Sequence, residues 1–283
     1  MSDQNDSMLD NVRDPRIRLV RALRGDAAAR QRHGAYVVEG SKFILEAVRS
    51  GAAVETVFIA PRLSTTPSGR RLQETLRRHG TPVVLVVDRL LDRVADTRTP
   101  QGAVAIVNRP GGDGSLPTPG AGRPLLVAWG VQDPGNLGAL VRICDATGAI
   151  GMLVGGGGAD PYHPRAVRAA AGAVERLRPI SLSPPGREIE TLIQAGYRLL
   201  AAVPRSGRRA ADVDWGGPWA LVVGSEGHGL PGSIVRAAAE RVHVPMEGPA
   251  NSLAVTASTA MLLYEAKRQR HTAETSAGPR SGE

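Results

Sequence analysis

The chain has 283 residues, 42% of them hydrophobic and only 3% aromatic, so two domains with cores of Val, Leu, Ile and Ala are within reach. No apolar run approaches the ~20 residues of a membrane span, and residues 1–10 are polar and acidic. That start does not read as a secretory signal, and a single cysteine fits a reducing, cytoplasmic compartment. The formal charge of +8 is carried almost wholly by arginine, whose planar donor fork suits phosphate and hence a polyanionic partner. A GC-biased genome would give the same arginine excess, so charge alone does not decide. The single cysteine, Cys144, allows neither an intramolecular disulfide nor a zinc cluster.

Residues 1–12 read as a disordered leader. Across 15–32, Ile17, Val20, Ala22 and Leu23 recur at helical spacing. "AYVV" is a short strand ended by Glu39-Gly40. Ser41 is expected to cap a helix with Phe43, Ile44, Ala47 and Val48 on its apolar face, stopped by Gly51. "VETVFIA" (strand), 70–80 (helix), "PVVLVV" (strand), 88–94 (helix) and "GAVAIVN" (strand) follow. Residues 13–108 therefore form an α/β layered domain. Residues 109–123, "RPGGDGSLPTPGAGR", have almost no large apolar side chain and read as a flexible linker.

A second domain spans 124–270. It opens on "PLLVAWGV", apolar enough to be buried on both faces. A helix over 137–147, the strand "IGMLVGG" and a helix over 166–174 come next. Strands at 197–202 and "WALVVGSE", a helix at 232–239 and the strand "RVHVPM" follow, and a last helix starts at Ser252 and reaches about 268. This alternation predicts a parallel sheet with its ligand at the carboxyl ends of the strands. Residues 271–283 read as a flexible tail.

Three segments of the second domain could carry chemistry. In "VQDPGNLGALVRICDATG" a buried strand turns into a helix whose first N–H groups are free, with Asn136 at the turn and Arg142 further along. Alone, Asn136 suits a helix cap and Arg142 a solvated face. In "LVVGSEGHGLP" glycines let the backbone approach a ligand closely, and Glu226 could orient an arginine or bond a hydroxyl. The loop lacks the Lys-Ser/Thr of a phosphate-binding Walker loop, and Gly155–Gly158 lacks the dinucleotide spacing. In "VHVPMEGPANSLAVTASTAMLLYEAKRQR" a strand and polar loop precede an Ala-rich helix that allows close packing.

In this order the three segments resemble the SpoU (TrmH-like) branch of the SPOUT methyltransferases, which methylate ribose 2′-hydroxyls of RNA. The matching stretches are "DPGNLGALVR", "VVGSEGHGL" and "VPMEGPANSLAVTASTAMLLYE", with "HPRAVRAAAGAVERLRPI" between them. "YVVEGSKFILEA" resembles that family's N-terminal substrate-binding domain, itself similar to ribosomal-protein RNA-binding folds. The resemblance implies an α/β fold with a trefoil-knotted parallel-sheet domain, an exception to the rule against threaded chains. It also implies a homodimer through the C-terminal domain, S-adenosyl-L-methionine as methyl donor and no metal. Carried over by motif, Gly224, Val244, Met246, Ser252 and Leu253 would contact the cofactor, while Asn136, Arg142, Glu226 and Ser252 would serve catalysis.

In such a reaction a ribose hydroxyl attacks the sulfonium methyl in line, so the protein need only align the two and assist proton removal. A guanidinium holds its proton well above neutral pH. The role expected for Arg142 is therefore to hold the target phosphate and polarise the hydroxyl, with Glu226 and Asn136 fixing geometry. One departure stands out: the family has Asn two residues after the serine of the third segment, where this chain has Ala254. Thr256 keeps the downstream hydroxyl, and Asn251 is the nearest amide that could stand in. Ribosomal RNA of the large subunit is the expected substrate, with transfer RNA, or RNA binding with weak catalysis, as alternatives.

Overall fold

A computed structural model describes residues 8–97, 99–111, 115–120, 122–182 and 188–276. In chain order it begins with α1 (Pro15–Gly25), α2 (Ala27–His33), β1 (Ala35–Glu39), α3 (Ser41–Arg49), β2 (Val54–Ile59), α4 (Pro61–Ser64), α5 (Pro67–Arg78), β3 (Val83–Leu85), α6 (Asp88–Val94) and β4 (Ala103–Asn108). Next come β5 (Pro124–Trp129), α7 (Pro134–Thr147), β6 (Gly151–Gly155), α8 (Pro164–Ala170), α9 (Ala173–Leu177), β7 (Ile180–Ser181), α10 (Glu188–Gln194) and β8 (Arg198–Ala202). The chain continues with β9 (Arg208–Arg209), β10 (Trp219–Val223), α11 (Gly232–Ala237), β11 (Glu240–His243) and α12 (Val255–Ser276).

The chain divides into two compact units, Met1–Gly112 with Tyr162–Arg176, and Asp113–Pro161 with Leu177–Glu283. In the first, four strands run in the order β1-β4-β2-β3, antiparallel except for β2 and β3. Ile17, Val20 and Leu23 of α1 and Leu90, Leu91 and Val94 of α6 cover one face, burying Phe58, Val104 and Ile106. The helix expected over 15–32 is two helices, because Asp26 takes extended backbone and its side chain caps α2, accepting from Ala28 N at 2.8 Å. Ser41 is not the cap of α3: Gly40, at φ 96°, holds that place and Ser41 is the first helical residue.

Two further expectations change here. Residues 1–7 of the predicted leader lie outside the described residues, but 8–12 are pinned: Leu9 bridges to Val86, packs against the core, and Asp10 pairs with Arg89. Residues 162–176, expected in the second domain, join the first unit. Their small buried residues Ala166, Val167 and Ala170 let α8 lie against β1. Tyr162 packs on Tyr36 with ring centroids 5.1 Å apart, Arg109 sits 4.3 Å over the Tyr162 ring, and Arg168 pairs with Asp96 at 3.1 Å. The helix expected over 166–174 breaks where Ala171 and Gly172 both turn left-handed, at φ 49° and 83°.

Among the described residues the second unit holds seven strands, all parallel, in the order β7-β6-β5-β10-β8-β11-β9, as the sequence predicts for this region. Every residue of β10 is buried, as are the first five of β5, the mark of a sheet covered on both faces. Trp219 packs edge-on against Trp215 at 4.8 Å, and each indole N–H finds a backbone carbonyl. The described part of the expected linker is not loose. Leu116 packs into this core, and the Tyr197 hydroxyl, its pKa pushed up by burial, donates to Pro117 O at 2.6 Å. The final helix, α12, packs on α7. It starts at Val255 rather than Ser252, since Gly248-Pro249 and the following residues stay irregular. It continues to Ser276, where a tail was expected, with Thr272 and Thr275 hydroxyls donating to carbonyls one turn back.

Candidate active site at the carboxyl ends of three strands

Strands β10, β8 and β11 are neighbours in the second sheet, and the chain leaving each of them lines one cavity of about 490 Å³. Residues 202–204 follow β8, 223–230 follow β10, and Val244 and Met246 follow β11, while Ser258 and Leu262 of α12 close the side. Helix N-termini and strand carboxyl ends converge there, where parallel α/β sheets bind ligands. The volume lies within the roughly 300–1,000 Å³ of small-molecule sites.

The turn after β10 is shaped by glycine. A Cβ on Gly224 would sit 2.3 Å from the carbonyl carbon of Gly229 and 2.6 Å from Leu230 N, so two stretches of backbone meet where only hydrogen fits. Ser225 O accepts from Gly229 N at 2.9 Å, and Gly229 takes φ 64°, closing a tight loop. The cavity wall is therefore backbone, with apolar side chains such as Val223, Leu230 and Leu253 behind it and Ser225, Asn251 and Ser252 as polar groups. This mixture fits a ligand with an adenine-like ring and a polar, charged chain.

Glu226 lines the cavity and accepts a hydrogen bond from Asn136 Nδ2 on α7, joining the first and second sequence segments. Asn136 is free to do so because Asp133, three residues earlier, is the helix cap: its carboxylate accepts from Asn136 N at 2.9 Å. Arg142 lies six residues further along α7, exposed, and does not line this cavity. At about 100° per residue, six residues turn it roughly 120° away from the face of Asn136. Cys144 is fully buried on the inner face of α7 and its thiol pKa is pushed up, by burial first and then by Asp145, so thiolate attack is not available to this site.

All five positions expected to hold a cofactor, Gly224, Val244, Met246, Ser252 and Leu253, line the cavity, and so does Glu226. Ala254 does not, whereas Asn251 does. Sequence reading missed Ala202, Val203 and Pro204, whose signal is only that β8 lies between β10 and β11. It also missed the capping by Asp133, legible in hindsight as Asp-Pro-Gly at a helix start.

A ligand cavity at the carboxyl edge of a parallel sheet, with a carboxylate–amide pair at its side, defines an α/β enzyme with a small-molecule cofactor site. The chain belongs to the SpoU rRNA Methylase family, whose model matches residues 123–264. Residues 14–105 match an MRM3-like substrate binding domain. A 23S rRNA (uridine(2479)-2'-O)-methyltransferase of Streptomyces viridochromogenes is 30% identical over 94% of this chain and 94% of that protein. The 23S rRNA (guanosine(2553)-2'-O)-methyltransferase RlmP of Bacillus subtilis is 26% identical over 83% of this chain and 89% of its own length. The solved SpoU methyltransferase AviRb of S. viridochromogenes, in complex with AdoMet, is 30% identical with a TM-score of 0.80, covering 92% of this chain and 99% of that one.

Proposed function

We propose that this protein transfers a methyl group from S-adenosyl-L-methionine to a ribose 2′-hydroxyl of ribosomal RNA, in the 23S molecule. The observation that carries the reading is the single cavity into which the chain leaving β10, β8 and β11 delivers Gly224, Glu226, Val244, Met246, Ser252 and Leu253. Relatives of nearly equal length that act on 23S rRNA support the choice of substrate. When bound, the cofactor supplies a methyl group on a positively charged sulfur.

The chain's own groups do the rest. Gly224 lets the loop close on Gly229 and Leu230 and so shapes the wall against which the cofactor lies, and the apolar side chains keep water from the transferable carbon. Glu226, held by Asn136, takes a hydrogen bond from the ribose and orients the hydroxyl, with Ser252 as a second polar contact. Arg142 is exposed and its side chain has no hydrogen bond or ion pair among the described residues, so its guanidinium is available for the target phosphate. The reading includes the trefoil knot implied for residues 124–270 and a homodimer through this domain. Exposed Met261 and Tyr264, one turn apart on α12, are the apolar surface such a dimer would cover. We place the protein in the cytoplasm, with residues 13–108 as RNA-binding domain; no helix among the described residues is long and apolar enough to cross a membrane.

The test is methylation of 23S rRNA and transfer RNA transcripts with labelled donor, followed by mapping of the modified nucleotide. Label is expected on a ribose of 23S rRNA, at a linkage that resists alkaline hydrolysis. Label on transfer RNA alone would overturn the substrate, and calorimetry without S-adenosyl-L-methionine binding would leave an RNA-binding protein on a methyltransferase fold.

A further inference from the structure

On the first unit a separate cavity of about 440 Å³ opens between α3 and α5. Its charged lining is Lys42, Arg49 and Arg71 against a single carboxylate, Glu46. Arg49 stands 3.9 Å from Glu46, a long and exposed ion pair. Lys42 and Arg71 are exposed, and their side chains have no hydrogen bond or ion pair among the described residues.

Ser41 adds a second kind of observation. It is 4% exposed, lines the same cavity, and its hydroxyl has no hydrogen-bond partner among the described residues. A hydroxyl both donates and accepts, so this one, on a residue fixed in the cavity lining, is available to a ligand atom there. Ser41 is also the first residue of a nine-residue helix whose cap, Gly40, offers no side chain, which leaves the first-turn N–H groups without a side-chain acceptor. The start of α5 meets the same cavity through Ser68. Helix-start donors, a free hydroxyl on a buried residue and three cations on one groove form the chemistry of a phosphate site.

We propose that this groove is a subsite for the phosphodiester backbone of the substrate RNA, seating phosphate between Lys42 and Arg71 with the Ser41 hydroxyl donating. The proposal rests on the reading of RNA as substrate. It adds where on the first unit the backbone is held, by groups that read phosphate rather than base and so position the RNA without selecting its sequence.

The test measures binding of a 23S rRNA transcript to the full-length protein, without methyl donor, across a salt series. The variants are Lys42→Glu with Arg71→Glu, and Ser41→Ala. A control carries the same charge change on exposed α1 positions, Arg18→Glu with Arg21→Glu, and thermal unfolding checks that each variant is folded. The groove pair is expected to weaken RNA binding at least about tenfold at 0.1 M salt. It should also lower the slope of log affinity on log salt by about 1.4, the value for two phosphates no longer neutralised. Ser41→Ala is expected to weaken binding about threefold. Wild-type affinity and slope in the groove pair would overturn the proposal, as would an equal loss in the α1 control. RNA binding unchanged, with inorganic phosphate raising the melting temperature of wild type alone, would assign the groove to free phosphate and also overturn it. Because donor is absent, a wild type that binds RNA but transfers no methyl group fails the enzymatic reading without touching this one.

Discussion

Both units set helices against a buried sheet, yet they offer polar chemistry to solvent by different means. In the second unit the cavity lies at strand ends, and its shape is set by backbone meeting backbone, as at Gly224 and Gly229. In the first, the groove lies between two helices, and long side chains supply its chemistry. A backbone-built site recognises one ligand shape and tolerates no added carbon. A groove of long cations on a hydroxyl floor tolerates variation at each position and suits a repeating polymer.

The contrast can be broken most sharply at Gly224. Replacement by valine drives side-chain carbons into Gly229 and Leu230 and is expected to cost at least about 100-fold in S-adenosyl-L-methionine affinity by calorimetry. A Gly224→Val protein that binds the cofactor normally would mean the turn is not the cofactor wall. Asn136→Ala comes next. Freeing Glu226 should lower kcat roughly 50-fold with cofactor affinity unchanged, whereas a change in affinity alone would place the pair in binding. In the first unit, Gly69→Ala puts a Cβ 1.9 Å from Leu63 O and should destabilise by about 2 kcal/mol in denaturant unfolding, leaving cofactor affinity intact. Asp133→Ala should cost only about 1 kcal/mol by loss of the α7 cap, with a drop in kcat if Asn136 shifts with it. The smallest effect is on Cys144: its raised pKa and full burial predict no alkylation at neutral pH until the protein is unfolded.

Much of the second unit was legible in the sequence because its signals are local. Unbroken apolar runs marked parallel strands, and glycines and prolines at strand ends marked the turns that line the cavity. The Asn136–Glu226 bond was not legible as a contact, since its partners are 90 residues apart. Sequence pattern tells that 164–170 is a helix with a small-residue face, but not which core the face enters, and it enters the first. The linker reading failed at Leu116 and Pro117, where one apolar residue and one carbonyl suffice to tie a glycine-rich stretch down. Arginine count also misleads at single positions: Arg30 is 2% exposed and donates to Leu23 O at 2.7 Å, a structural cation closed to any polyanion. The phosphate groove escaped notice because Lys42 and Arg49, two turns apart on α3, read as a solvated helix face; only the α3–α5 packing brings Arg71 to them.

The passage of Tyr162–Arg176 into the first unit means the backbone crosses between units three times, near 112, 161 and 176. No single cut separates the two units as their contacts divide them. A fragment ending at residue 112 would leave Tyr36 and β1 stripped of Tyr162 and α8. Domain-swap engineering in this protein therefore has to treat the first unit as a head with a detached clasp. A transplanted first unit would have to bring its clasp with it, spliced between β6 and β7 of the recipient.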